Sequence, residues 1–285
     1  MPTGTPSFRT VINRGELVRA AGAHDALGAT LAEQAGFQAV WSSSFEISAS
    51  RCLPDASVLT MTEYLAAAAN MQRAISIPVV ADVDTGYGNN LNVAHMVREY
   101  EAAGITAVAM EDKLYPKVNS FAATSHALLP VDEFVRKIHT AKNAQADDEF
   151  YLIARSEALI NGESVEEALK RCNAYADAGA DAILIHSKSK SENEITEFLG
   201  QWDGRMPVVV VPTTYPHWSA HEARKHGVSV VIYANQGLRA TIEAVRSTFK
   251  TIYAEGTSLS VEDSIAPVSE VFSLQKLDEW LGLEA

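Results

Sequence analysis

Apolar residues fall along this chain in short unbroken runs, and several runs follow a helical stretch that ends in Gly. The pattern reads LAEQAG-FQAVWSS, YEAAG-ITAVAMED, YADAG-ADAILIHS and EARKHG-VSVVIYAN. Gly just past the last helical turn is the expected left-handed C-cap. Runs of Val, Ile, Leu and Ala that do not alternate with polar residues read as parallel strands buried on both faces. Such strands are expected near Leu17–Ala21, Gln38–Ser42, Val79–Asp82, Ala107–Glu111, Tyr151–Arg155, Ala182–His186, Val208–Val211 and Val230–Tyr233. Helical patterns fall between and after them, near 25–35, 62–74, 91–103, 131–144, 164–178, 192–202, 217–226 and 237–254. This alternation closes most naturally as a (β/α)₈ TIM-type barrel, one domain over residues 1–285. A doubly wound open sheet is the second choice, and it lacks a G-x-G-x-x-G loop after the first strand.

Two connections are longer than the fold requires, Ser43–Thr60 and Asp112–Pro130. Both follow strands, so both belong to the C-terminal face, where barrels of this kind place their chemistry. Residues 112–130 are expected to form a gating loop. Beyond the last barrel helix a tail, residues 256–285, carries Val271, Leu274, Leu277 and Leu281 at helical spacing. It is expected to cover the barrel flank or a neighbouring subunit.

Polar residues gather at the C-terminal ends of the apolar runs: Trp41-Ser42-Ser43, Asp82 and Asp84, Glu111, Arg155, His186, Thr213 and Asn235. A core has no use for charge there unless it is paired or metal-bound. If the third strand runs on through ADVDTGYGN, Asp82 and Asp84 face the same side. With Glu111 they form a carboxylate cluster whose repulsion a divalent cation would relieve. All-oxygen ligands suit Mg²⁺, with Mn²⁺ as an alternative. A turn at Thr85-Gly86-Tyr87-Gly88 could explain Asp84 but not Asp82.

Charge and composition narrow the setting. The formal net charge is −13, and no Lys/Arg-rich run interrupts it. Nucleic acid and anionic membrane are therefore not expected as partners. Cys52 and Cys172 are the only cysteines in 285 residues. That usage fits a reducing cytosol, and the N-terminal residues do not resemble a signal peptide. A cytoplasmic enzyme acting on a small molecule is expected.

The motifs GAHDAL, ADVDTGYGN, EDKLYPKVNS, ARSEALI, ADAILIHSKS, VVVVPTTYP and VIYAN together resemble the phosphoenolpyruvate mutase/isocitrate lyase superfamily, from about Gly22 to Gln275. The resemblance implies a barrel whose C-terminal helices swap between subunits, in a dimer or tetramer. It implies Mg²⁺ on Asp82, with Asp55, Asp84 and Glu111 holding the metal's waters. Ser43 and the amides of Ser44 and Phe45 would hold pyruvyl oxygens, and Trp41 would pack on the substrate. Arg155, His186, Lys117, Asn119 and Ser120 would hold a phosphoryl group. Asp55, Lys117, Asn119, Arg155 and His186 are the catalytic candidates.

The superfamily's carbon–carbon lyases carry a Cys in the loop where this chain has EDKLYPKVNS. The resemblance therefore points to the branch that interconverts phosphoenolpyruvate and phosphonopyruvate. Asn119 favours that branch over hydrolysis of phosphonopyruvate, for which Thr is expected at this position. Ser44 stands where Gly is usual, and Phe121–Leu128 lacks an H-D-G-R-like continuation. Both keep the hydrolase open, as well as a Mg²⁺-dependent lyase or aldolase acting on another 2-oxo acid.

Overall fold

The computed structural model describes residues 4–122 and 127–284. The chain runs α1 (Phe8–Ile12), β1 (Val18–Ala23), α2 (Ala26–Gln34), β2 (Ala39–Ser42), α3 (Ser44–Ser50), α4 (Met61–Ala74), β3 (Val79–Asp82) and α5 (Asn90–Ala102). It continues β4 (Ala107–Glu111), α6 (Val131–Ala144), β5 (Tyr151–Ser156), α7 (Val165–Asp177), β6 (Ala182–Ile185), α8 (Asn193–Gln201), β7 (Val208–Val210), α9 (Ala220–Lys225) and β8 (Val230–Tyr233). The helices α10 (Gln236–Glu255), α11 (Val268–Leu274) and α12 (Leu277–Gly282) follow. Residues 1–235 form one compact unit and residues 236–285 a second.

The strands pair in parallel and in sequence order, and β8 returns to β1 to close the barrel. Gly36, Gly104, Gly179 and Gly227 all have positive φ at helix ends, as the repeated pattern requires. At the other ends, Asp25 caps α2, and Thr60 with Glu63 and Asn89 with Asn92 form capping boxes on α4 and α5.

Two apolar clusters result. One lies between strands and helices, and the other fills the barrel interior with Val18, Ala39, Trp41, Val80, Ile153, Leu184, Val209 and Ile232. The interior cluster also includes Phe8, Val11 and Ile12 of α1, which the sequence reading did not assign. Phe8 N–H donates to Thr106 Oγ1, and Arg9 donates to Phe150 O and Asp181. Those partners directly precede β4, β5 and β6, so α1 plugs the N-terminal end. The opposite end is left for chemistry.

Three other expectations change. The connection Ser43–Thr60 is not wholly irregular, because Ser43 caps the helix α3. Strand β3 stops at Asp82, and Asp84 lies in a left-handed turn at φ 49°, so the two carboxylates are not strand neighbours. The tail is broken between α11 and α12 by Lys276 at φ 53°, where one continuous apolar stripe was expected.

Gly22 marks a close approach at the barrel mouth. A Cβ there would lie 2.4 Å from Ala234 O and 2.7 Å from Glu46 Oε1. Backbone cannot move aside cheaply, so Gly22→Ala is expected to cost about 1–3 kcal/mol of stability. Denaturant unfolding of the variant beside wild type checks this. An unchanged midpoint would contradict the contact.

Candidate active site

The carboxylates expected at the strand ends do come together. Asp55, Asp82, Asp84 and Glu111 are all buried at the C-terminal mouth. Ser44 Oγ donates to Asp82 Oδ2 at 3.0 Å, so the residue that departs from Gly supplies Asp82 with a partner. Glu111 lies 3.4 Å from Arg155 Nε and 3.6 Å from Lys113 Nζ. Burial pushes Asp82 above the usual carboxylate range against the pull of Arg155 and Lys117. Burial pushes Asp84 up to about 7 despite Lys117.

Lys117 bridges two of these groups, at 2.5 Å from Asp55 Oδ1 and 3.0 Å from Asp84 Oδ1. Burial alone would strip its proton, but Asp84, Asp55, Glu111 and Asp82 outweigh that and hold it charged. Asn119 Nδ2 donates to Asp55 Oδ2 at 2.7 Å, and Asn119 N–H to Asp55 O at 2.9 Å. Ser57 Oγ accepts from Lys117 N–H at 2.9 Å. The two long connections are therefore clasped together above Asp84. The base of segment 112–130 is itself pinned: Lys113 bridges Leu128 in antiparallel fashion, and Leu129 N–H donates to Asp112 O at 2.8 Å. Of the expected gating loop, residues 123–126 lie outside the described residues.

A second cluster sits beside the first. Arg155, from the end of β5, meets both His186, just past β6, and Ser120 of the segment expected to gate the site. At its centre is Glu157, which the sequence reading quoted within ARSEALI but gave no role. Glu157 is fully buried. It takes Arg155 Nε at 2.6 Å, Ser120 Oγ at 2.5 Å and Lys113 Nζ at 3.0 Å. Burial would raise its pKa, but Arg155 and Lys113 prevail and hold it well below the usual range. Burial lowers the pKa of His186, so its ring is neutral at neutral pH. Phe121 packs edge-on to that ring at 5.5 Å.

Among the residues expected to hold pyruvyl oxygens, Ser43 Oγ accepts from Glu46 N–H as the cap of α3. The first-turn amides of α3 include those of Ser44 and Phe45, which have no partner within their helix. Trp41 is 2% exposed, and the interior cluster holds it beneath the mouth. His24 and Glu46 form a further pair at 3.0 Å that the sequence reading did not single out.

The site suits a divalent cation. Asp55, Asp82, Asp84, Glu111 and Glu157 outnumber Lys113, Lys117 and Arg155 among its buried charges. Apart from their ion pairs with Lys117 and Lys113, the buried Asp84 Oδ1 and Glu111 Oε1 accept no hydrogen bond among the described residues. Hard carboxylate oxygens are the donor set that Mg²⁺ takes. Among the described residues, no three His, Cys, Asp or Glu side chains form a ready coordinating group. The assignment to Asp82, Asp84, Glu111 and Asp55 is what the family resemblance implies, and the charge and burial of these residues are compatible with it.

Comparison with known proteins agrees with this architecture. A family model described as phosphoenolpyruvate phosphomutase matches residues 8–253. A phosphonopyruvate hydrolase from Variovorax sp. (strain Pal2) is 43% identical over 285 residues, covering 99% of this chain and 98% of the relative. The crystal structure of a phosphoenolpyruvate phosphomutase from Streptomyces platensis subsp. rosaceus superposes with TM-score 0.96 at 55% identity, covering 97% of this chain and 96% of that one. A phosphonopyruvate hydrolase in complex with oxalate and Mg²⁺ superposes with TM-score 0.91 at 43% identity, over 97% of this chain and 96% of that one.

Proposed function

Since this chain belongs to the phosphoenolpyruvate phosphomutase family, we propose that it interconverts phosphoenolpyruvate and phosphonopyruvate. The observation that carries the reading is the clasp of Asn119 and Lys117 on Asp55, which closes the gating segment over the buried carboxylates. Moving a phosphoryl group between carbon and oxygen of one substrate requires that water be kept away from it.

In the direction from phosphonopyruvate, the bond from C3 to phosphorus breaks and a bond from the 2-oxo oxygen to phosphorus forms. The electron pair left by phosphorus makes the pyruvate enolate, whose oxygen then takes the phosphoryl group back. Such a loose transfer needs positioning and charge more than covalent help. Arg155, His186, Ser120, Lys117 and Asn119 would hold the phosphoryl oxygens while both fragments stay in place. Ser43 and the amides of Ser44 and Phe45 would orient the pyruvyl carboxylate. Mg²⁺ held at Asp82, Asp84, Glu111 and Asp55, with Mn²⁺ as an alternative, would supply positive charge to the carboxylate and enolate oxygens. The test is the phosphorus-containing product made from phosphonopyruvate.

Hydrolysis of phosphonopyruvate to pyruvate and phosphate is the second reading, favoured by the 43% identical hydrolase. It would use the same residues with water admitted to the phosphoryl group.

The protein is also proposed to be a dimer or tetramer in which residues after about Arg239 meet a neighbouring subunit, and to work in the cytoplasm. No described helix is long and apolar enough to cross a membrane. The C-terminal unit leaves Phe249, Tyr253, Leu259, Trp280 and Leu283 exposed, more apolar surface than water favours. Sedimentation velocity at micromolar concentration is expected to show a dimer or larger species. A stable monomer would contradict it.

A further inference from the structure

We propose that Glu157 is a positioning residue for phosphoryl transfer: it fixes Arg155, which in turn locks His186 as the Nε2–H tautomer. This rests on the mutase reading above and adds a residue and a proton position to it.

The groups around Glu157 come from three separate segments. Arg155 is on β5, His186 follows β6, and Lys113 and Ser120 belong to the gating segment. Glu157 is itself held by its backbone, whose N–H donates to Asp112 Oδ1 at 2.8 Å. Tyr175 Oη donates to the other oxygen of Asp112 at 2.7 Å. The carboxylate of Glu157 is thus a fixed point to which the phosphoryl-binding candidates are tied.

The tautomer follows from donor chemistry. Arg155 Nη2 lies 3.0 Å from His186 Nδ1. A guanidinium only donates, so Nδ1 must present its lone pair. In a neutral ring the proton is then on Nε2. Glu157 Oε1 lies 3.3 Å from the same Nδ1 and would favour the opposite tautomer. That oxygen already accepts a shorter, charge-assisted bond from Arg155 Nε at 2.6 Å. A proton on Nδ1 would also set two donors against each other across the shorter contact. The Arg155 contact therefore decides.

Nε2 is buried and has no partner among the described residues. A buried donor left unpaired is costly, and a substrate oxygen would satisfy it. Within this cluster, Ser120, Arg155 and Lys113 already spend donors on Glu157, and the Nε2–H of His186 does not. Without the charge on Glu157, the other carboxylate near Arg155 Nε is Glu111, at 3.4 Å. Drift of the guanidinium toward Glu111 would release Nδ1 and let the ring change tautomer.

The test uses the full-length protein labelled with ¹⁵N in its His rings, with His186→Gln to assign the signal. Wild type is expected to show His186 as the Nε2–H tautomer alone, and Glu157→Gln to show an added Nδ1–H population. In the same variant, kcat with phosphonopyruvate is expected to fall by about 100-fold, the scale on which misplacing a reacting group by an ångström acts. Binding of oxalate with Mg²⁺, which carries no phosphoryl group, should stay at the wild-type level. Wild-type His186 protonated on Nδ1 would overturn the proposal. So would wild-type kcat in Glu157→Gln, or loss of oxalate binding in step with kcat, which marks a merely structural residue. If Glu157→Gln does not fold, the wild-type spectrum decides alone. If wild type does not turn over phosphonopyruvate at all, the mutase reading falls on that result, and the spectra still decide the role of Glu157.

Discussion

Chelation of divalent cations is expected to abolish turnover, and added Mg²⁺ to restore it. Carboxylates this buried repel one another and are poorly solvated, which is why Asp82 and Asp84 lie above the ordinary range. Lys117 makes direct ion pairs with Asp55 and Asp84 and acts on Asp82 only through the charge between them. Asp82 accepts from the Ser44 hydroxyl at 3.0 Å and the Asp84 N–H at 3.3 Å and has no direct cationic partner among the described residues. Asp82→Ala should therefore cost more activity than Asp84→Ala. The expected loss is on the order of 10³ or more, because a cation that polarises a substrate oxygen is worth several kcal/mol. Steady-state rates in chelator, in Mg²⁺ and in Mn²⁺ check the claim for wild type and both variants. Full activity in excess chelator would end it.

Asn119 carries the second large effect. Its side chain and backbone both donate to Asp55, and its Oδ1 accepts from Phe121 N–H at 2.9 Å. It therefore ties the gating segment to the segment holding Asp55 and leads the chain into Phe121, against His186. Asn119→Ala removes the clasp and one candidate donor to the phosphoryl group. Loss of one such donor costs about 2.7–4 kcal/mol of transition-state stabilisation, roughly 10²–10³ in rate. Stability should change little, because the residue is half-buried in a loop and outside both apolar clusters. Asn119→Thr keeps a polar group, a hydroxyl in place of the amide, but shortens the reach to Asp55. Its remaining activity is expected to shift toward phosphate release as water enters. The ratio of phosphoenolpyruvate to phosphate formed by wild type and both variants is the measurement. Equal rates and ratios in all three would show Asn119 to be a bystander.

Much of this fold is legible in the sequence because its signals are local. A Val-rich run such as Val208–Val210 and a Gly cap such as Gly179 depend on neighbours in the chain. Asp82, Glu111 and Arg155 stand out because charge at the end of an apolar run is rare. What escaped depends on distant partners or on short elements. Helix α1 spans only Phe8–Ile12, too few residues to show a period, and its role is set by Thr106, Phe150 and Asp181. For Asp84 the sequence left a strand and a turn at Thr85-Gly86-Tyr87-Gly88 both open, and the structure puts it in the turn, with a left-handed backbone that the motif alone does not reveal. Glu157 reads as one acidic residue among others in ARSEALI. Its importance appears only when Lys113, Ser120 and His186 arrive from other segments. The break at Lys276 was hidden by apolar spacing that happens to continue across it.

The most direct test of the central claim is ³¹P NMR of the enzyme with Mg²⁺ and phosphonopyruvate. The closed clasp of Asn119 and Lys117 on Asp55 predicts that phosphoenolpyruvate appears as the main product, with little inorganic phosphate. Inorganic phosphate as the main product, from wild type, would contradict the mutase reading and put the hydrolase in its place.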